Sequence, residues 1–172
     1  MRHPVQVRLA SSTGALVDLR PTGYQFGEAC RTETESADST TEPADDWDDN
    51  WLVIRGEVTT AEGRSWGFTD PCMTTWEAED LWAWLEAVSR DATDRDSVVF
   101  TEPNLGFFLD SRHGDCVRIR VRFSYESLPG WLPRYIAGWQ TAEYFVTLEV
   151  ATTDLAEAAR DWDRERQAFP GR

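Results

Sequence analysis

The sequence predicts an α+β fold in which a mostly antiparallel sheet of about seven or eight strands is combined with two amphipathic helices. Three observations support this class. Hairpin-length turns join most neighbouring strand segments, only two segments have helical periodicity, and each of those two follows a group of four strands. The predicted order is therefore four strands, a helix, four strands and a helix, within a single domain of 172 residues, 1–172.

The first four strands are predicted from alternating or continuously apolar residues between turn residues. They occupy residues 5–9, 15–19, 51–58 and 65–69. Gly63 is expected to take the left-handed position in the turn before the fourth strand. Asp70-Pro71 is expected to end that strand, because proline has no N–H to donate to a sheet ladder.

The first helix is predicted to begin after Thr74, with Glu77 three residues on at the spacing of a capping box. Apolar residues at helical spacing predict its buried face, which comprises Ala78, Leu81, Trp82, Leu85 and Val88. The acidic residues are expected on its solvent side, namely Glu77, Glu79, Asp80 and Glu86.

The second group of strands is predicted at residues 97–101, 106–110, 116–123 and 144–150. A tight hairpin is predicted at His113-Gly114. Within 116–123 the apolar residues alternate with Arg118, Arg120 and Arg122, which are expected on the outer face of the sheet. A second amphipathic helix is predicted from about Asp154, with a buried face of Leu155, Ala158, Ala159 and Trp162.

The composition changes sharply between Glu28 and Asn50. This stretch has nine acidic residues and one basic residue, Arg31, and small polar residues and proline fill the gaps. It cannot bury enough apolar area to offset the entropy lost on ordering it. We therefore expect residues 28–46 to form an acidic flexible insertion within the domain.

The charge balance excludes two large classes of partner. With 31 acidic and 17 basic residues the formal net charge is −14, whereas nucleic acids and anionic membranes need a cationic surface. No apolar signal core is present, and no run approaches the roughly 20 apolar residues of a membrane span. The three cysteines have no metal-binding spacing and are typical of free thiols in a reducing compartment. We therefore expect a cytoplasmic location.

No catalytic or cofactor-binding motif of defined spacing is present. His113 lies near an aspartate and a cysteine, but neighbouring strand residues point to opposite faces, so a turn histidine is the better interpretation. Asp46, Asp48 and Asn50 alternate as in a calcium loop, yet the glycine and the closing glutamate of such a loop are missing. The sequence thus predicts no enzyme, no cofactor and no metal site.

Two further features bear on binding. The three outward arginines could hold an anion, but cross-strand pairing with Glu143, Glu149 or other acids is the preferred interpretation. Several of the nine tryptophans fall in core patterns, whereas others do not: Trp47, Trp76, Trp131 and Trp139. Tryptophans outside a core pattern are often part of protein interfaces.

Four segments carry a family resemblance through their order and spacing. They are Trp47-Asp-Asp-Asn-Trp51-Leu52, then Trp66-Gly-Phe-Thr-Asp-Pro-Cys-Met-Thr-Thr-Trp-Glu77, then Leu81 to Leu85, then Phe100-Thr-Glu-Pro-Asn-Leu-Gly-Phe107, with Tyr24-Gln-Phe26 as a leading element. Over roughly residues 24–150 the chain resembles the WapI family of bacterial immunity proteins. The resemblance implies a cytoplasmic antitoxin that binds the toxic C-terminal domain of a wall-associated or contact-delivered toxin, thought in that family to be a nuclease acting on tRNA. It implies no catalytic residues.

An acidic, aromatic surface is the electrostatic complement of a nuclease cleft. We expect part of that surface at Asp45, Asp46, Trp47, Asp48 and Asp49, with Glu77, Glu79 and Asp80 on the first helix.

Two other functions stay open. An acidic adaptor or small-molecule-binding module would present a tryptophan-lined pocket. A carboxylate-dependent hydrolase would present a cleft in which two acids converge and at least one titrates abnormally.

Overall fold

The computed structural model describes residues 7–26, 48–136 and 140–172, so the predicted insertion 28–46 lies outside the described residues. The elements are β1 Val7–Ala10, β2 Leu16–Tyr24, β3 Trp51–Thr59, β4 Ser65–Thr74, α1 Thr75–Ser89, β5 Ser97–Val99, β6 Leu105–His113, β7 Cys116–Ser124, β8 Glu143–Ala151 and α2 Thr152–Arg166. The described residues also form 3₁₀ turns at Asp48–Asn50 and Tyr125–Ser127. The predicted α+β class and element order are confirmed.

The strands form two four-stranded antiparallel sheets, with orders β1-β2-β3-β4 and β5-β6-β7-β8, and not the single sheet that we expected. Each sheet is a meander followed by a helix, so α1 separates the last strand of one sheet from the first strand of the other. Edge strands β1 and β8 approach each other where Ser11 Oγ accepts a hydrogen bond from the Glu149 N–H (2.9 Å). Both sheets and both helices contribute to one hydrophobic core.

The two helices pack against each other. The predicted buried face of α2 is confirmed, and the Trp162 indole N–H donates to the Ala78 carbonyl oxygen of α1 (2.7 Å). On α1 the prediction was wrong for one tryptophan, because Trp84 is fully buried whereas Trp82 is half-buried. α1 also contacts β4 and β5, so its buried surface is wider than the single helical face predicted from the sequence. Trp84 accordingly donates to the Arg95 carbonyl oxygen (3.0 Å), on the side away from α2.

Strand β4 does not end at Asp70-Pro71, as predicted, but continues to Thr74. It is the edge strand of its sheet, where proline is tolerated. Leu52 pairs with Met73 and Val53 pairs with Pro71, which leaves Cys72 as the extra residue of a β-bulge. The bulge lets β4 pass the proline and run directly into the cap of α1.

The turn before β7 is displaced by one residue from the prediction. His113 pairs with Cys116, so the loop residues are Gly114 and Asp115. Gly114 has φ +57, a conformation that glycine adopts without the penalty a histidine would incur. Gly63, with φ +83, occupies the predicted left-handed position.

Candidate functional site

One end of the first sheet brings together segments that the sequence singled out. The Gln25 N–H donates to the Trp51 carbonyl oxygen (2.8 Å), which joins the ends of β2 and β3. Trp51 pairs with Thr74, and the Thr75 hydroxyl donates to Asn50 Oδ1 (3.1 Å). The Asp48–Asn50 turn therefore lies beside the first turn of α1.

Residues 169–172 contact the same end of the first sheet. The Asn50 amide group makes two hydrogen bonds to the backbone of Arg172, donating through Nδ2 (3.1 Å) and accepting at Oδ1 (2.8 Å). The Tyr24 hydroxyl donates to the Pro170 carbonyl oxygen (2.5 Å), and the Arg172 guanidinium lies 3.6 Å from the Tyr24 ring centroid. These contacts hold the end of β2 and the Asp48–Asn50 turn in a fixed arrangement.

The predicted site residues are distributed unevenly at this end. Glu79 and Asp80 are exposed on α1, Asp49 is partly exposed in the adjoining turn, and Asp48 lies in the same turn. The exposed Trp76, noted in the sequence as outside the core pattern, lines a pocket of about 340 Å³ together with Glu79. Asp45, Asp46 and Trp47 lie outside the described residues.

Glu77 has a different role from the one predicted. It is only 8% exposed, and its Oε2 accepts from the Thr74 N–H (2.8 Å) and the Thr74 hydroxyl (3.0 Å). Its Oε1 accepts from the N–H of Thr101 (2.6 Å). The predicted capping box is thus confirmed, and both carboxylate oxygens of Glu77 accept hydrogen bonds within the protein.

Glu77→Ala is expected to lower the free energy of unfolding by about 1–2 kcal/mol, because the N–H groups of Thr74 and Thr101 lose their acceptor. Urea denaturation measures this change. Glu79→Ala, two residues along the same helix at an exposed position, is the control and should change stability by less than about 0.5 kcal/mol. Equal losses in the two variants would show that Glu77 has no special structural role.

Sequence reasoning missed an acidic cleft of about 580 Å³ at this same end. Three carboxylates from three elements line it: Asp70 from the middle of β4, Glu102 from the loop before β6, and Glu126 from the Tyr125–Ser127 turn. Phe26 and Trp51 add aromatic surface. Asp70 and Glu102 lie in the segments that carry the family resemblance. Their position in those segments was the sequence observation that pointed to the cleft.

The carboxylates of the cleft are held close enough to affect one another. Burial, reinforced by the negative charge of Glu126, raises the pKa of Asp70, while a hydrogen bond from Asn104 Nδ2 (2.5 Å) opposes this rise. Glu126 in turn pairs with Arg134 across 3.0 Å. Burial therefore disfavours the ionised form of Asp70, and a cation placed beside it would stabilise that form.

The side chains in and beside the cleft define its chemistry. Among the described residues no group of three or more histidine, cysteine, aspartate or glutamate side chains could hold a metal ion. The neighbouring Cys72 is fully buried, and burial raises its thiol pKa, so it is a poor nucleophile. Carboxylates next to aromatic rings are suited to hold a guanidinium or ammonium group.

Fold and surface together define a small acidic α+β protein with a cleft lined by carboxylates and aromatic rings. The model of the immunity protein WapI-like family matches residues 8–170, and the chain belongs to that family. Membership indicates a toxin-neutralising immunity protein. No curated protein and no solved structure gives a significant match. Neither helix of the described residues is long and apolar enough to cross a membrane.

Proposed function

We propose that this protein neutralises a cognate toxin domain by binding it without catalysis, and that the acidic cleft and the adjoining start of α1 receive basic side chains of the toxin. Family membership is the observation that supports a toxin as the partner. The net charge of −14 and the three carboxylates of the cleft support a cationic contact surface on that toxin.

The physics of association favours this arrangement. An acidic surface accelerates encounter with a basic partner, and the effect decreases as salt screens the charges. Exposed aromatic residues beside the acids supply buried area once the two proteins meet: Phe26 is 37% and Trp76 is 38% exposed. A nuclease is the toxin type that fits best, because its active cleft is built to attract phosphates.

Neutralising the cleft is expected to weaken toxin binding at least about tenfold, mainly through slower association. The variant combines Asp70→Asn, Glu102→Gln and Glu126→Gln, which keep side-chain size while removing charge. Binding kinetics would be measured at several salt concentrations against an inactivated form of the cognate toxin domain, which is to be sought in the gene directly upstream. The salt dependence of association should become shallower.

A matched control removes the same charge elsewhere. Asp94→Asn, Asp115→Asn and Glu157→Gln change three exposed acids, one of them in the β6–β7 hairpin at the other end of the second sheet. If this control weakens binding as much as the cleft variant, net charge alone drives association and the proposed placement is wrong.

A separate variant tests the surface predicted from the sequence. It combines substitution of Asp45, Asp46, Asp48 and Asp49 by Asn with Glu79→Gln and Asp80→Asn. A loss comparable to that of the cleft variant supports one continuous acidic surface. Unchanged affinity would restrict the contact to the cleft.

A carboxylate-dependent hydrolase is the second candidate, because the cleft meets its criterion of converging acids with one abnormal pKa. The described residues that line the cleft include no histidine, and family membership favours binding. Turnover of a substrate by the purified protein, lost on Asp70→Asn, would favour the hydrolase over the immunity function.

A further inference from the structure

The outer face of the second sheet is a separate surface with its own chemistry. It consists of the outward side chains of β6, β7 and β8 together with Val99 of β5, on the side opposite the core residues of β7 and β8. Two apolar side chains on this face are open to solvent: Val99 is 51% and Phe145 is 38% exposed.

The charges of this face cancel. Arg118 pairs with Glu149 (2.6 Å) and Arg122 with Glu143 (3.5 Å), both across to β8, while Arg120 pairs with Asp110 of β6 (2.7 Å). The predicted pairing of the arginine stripe is thereby confirmed. Three guanidinium groups and three carboxylates leave the face neutral on a chain of net charge −14.

Aromatic rings order the arginines at the centre of the face. Phe108 and Phe145 lie 6.1 Å apart between ring centroids, and the Arg120 guanidinium is 5.2 Å from the Phe145 ring. The Arg122 guanidinium packs beside Gly106, where a Cβ would come within 3.3 Å of its Nη2. Arginines held in this way lose little freedom on association, and phenylalanine and arginine are enriched in interface cores.

We propose that this face docks a second copy of the same chain in a symmetric dimer. Two molecules of charge −14 repel each other, and this repulsion is weaker when neutral patches meet than when acidic surfaces meet. The arginines of β7 lie between carboxylates on β6 and on β8, so a two-fold axis allows arginines of one copy to meet carboxylates of the other. A polyanion would bind this face weakly, because each of the three guanidinium groups is already paired with a carboxylate. A cationic toxin would bind more strongly at the acidic cleft than at this neutral face.

The area of the face limits the surface that the dimer can bury. Three nine-residue strands give a patch of roughly 30 by 15 Å, which is smaller than the interface of a stable complex. We expect a weak dimer, with a dissociation constant in the micromolar range. Because salt screens the overall repulsion, dimerisation should strengthen between about 0.05 and about 0.3 M salt, opposite to toxin binding.

Sedimentation equilibrium of the free protein tests this proposal and does not depend on the toxin. The wild type should associate over about 5 to 200 µM, and Phe145→Glu should raise the dissociation constant at least about tenfold. Ile136→Glu, at a site 50% exposed outside this face, should leave association unchanged. If circular dichroism shows that Phe145→Glu does not fold, Val99→Glu repeats the test.

Several results would overturn the proposal. The wild type could stay monomeric over the whole concentration range, or Ile136→Glu could weaken association as much as Phe145→Glu. A loss of toxin binding in Phe145→Glu would assign the face to the toxin. Retention of single-stranded RNA by the wild type, lost in Phe145→Glu, would assign it to nucleic acid.

Discussion

Trp162→Ala is expected to lower the free energy of unfolding by about 3–5 kcal/mol. Trp162 is fully buried on α2, and its indole N–H donates to the Ala78 carbonyl oxygen of α1 (2.7 Å). The substitution leaves a cavity between the two helices and removes that hydrogen bond. Guanidinium denaturation measures the change, which is a large part of the stability of an ordinary domain.

Two comparisons separate cavity formation from the hydrogen bond. Trp162→Phe keeps most of the buried ring area and should cost less than half as much as Trp162→Ala. Trp82→Ala removes a half-buried indole that lies 4.8 Å from the Arg166 guanidinium, and it should cost clearly less than Trp162→Ala. A small loss for Trp162→Ala would mean that the two helices pack independently of this side chain.

Gly56→Ala is expected to destabilise the fold by about 2–3 kcal/mol through overpacking. A Cβ at this position would lie 2.1 Å from Cε1 and 2.2 Å from Cζ of Phe68, its partner across β3 and β4. The Phe68 ring cannot move away easily, because it is buried and packs against Phe123 at 6.0 Å. Thermal unfolding followed by circular dichroism measures the loss.

A double-mutant cycle tests the physical cause. Phe68→Leu shortens the side chain over Gly56, so Gly56→Ala combined with Phe68→Leu should cost less than the sum of the single changes. Gly130→Ala is the control, since a Cβ there meets nothing within 4 Å, and it should be neutral within about 1 kcal/mol. Additive costs in the cycle would show that the loss does not arise from the contact with Phe68.

The strand faces and helix starts that could be predicted depend on patterns among residues close together in the chain. In β7 the apolar residues Val117, Ile119 and Val121 alternate with arginines, and this period of two fixes which face enters the core. The Thr74 and Glu77 spacing fixes the start of α1, because the capping contacts lie within four residues. Both features depend on near neighbours in the chain.

Contacts between distant segments explain what could not be predicted. Glu77 was placed on the solvent side because a carboxylate is ordinarily hydrated, but the Thr101 N–H from beyond β5 makes its burial favourable. Trp84 was missed because its partner, the Arg95 carbonyl oxygen, lies outside the helix. The division into two sheets depends on whether β4 pairs with β5, and no periodicity encodes that choice.

The sequence by itself determined the order of strands and helices, the acidic character of the chain and the family to which it belongs. Only the tertiary structure decided that Asp70, Glu102 and Glu126 share a cleft with Trp51, and that the paired arginines form a neutral outer face. The physical reason is that charge and periodicity are properties of a chain segment. A binding surface is made where the packing of one core brings remote segments together.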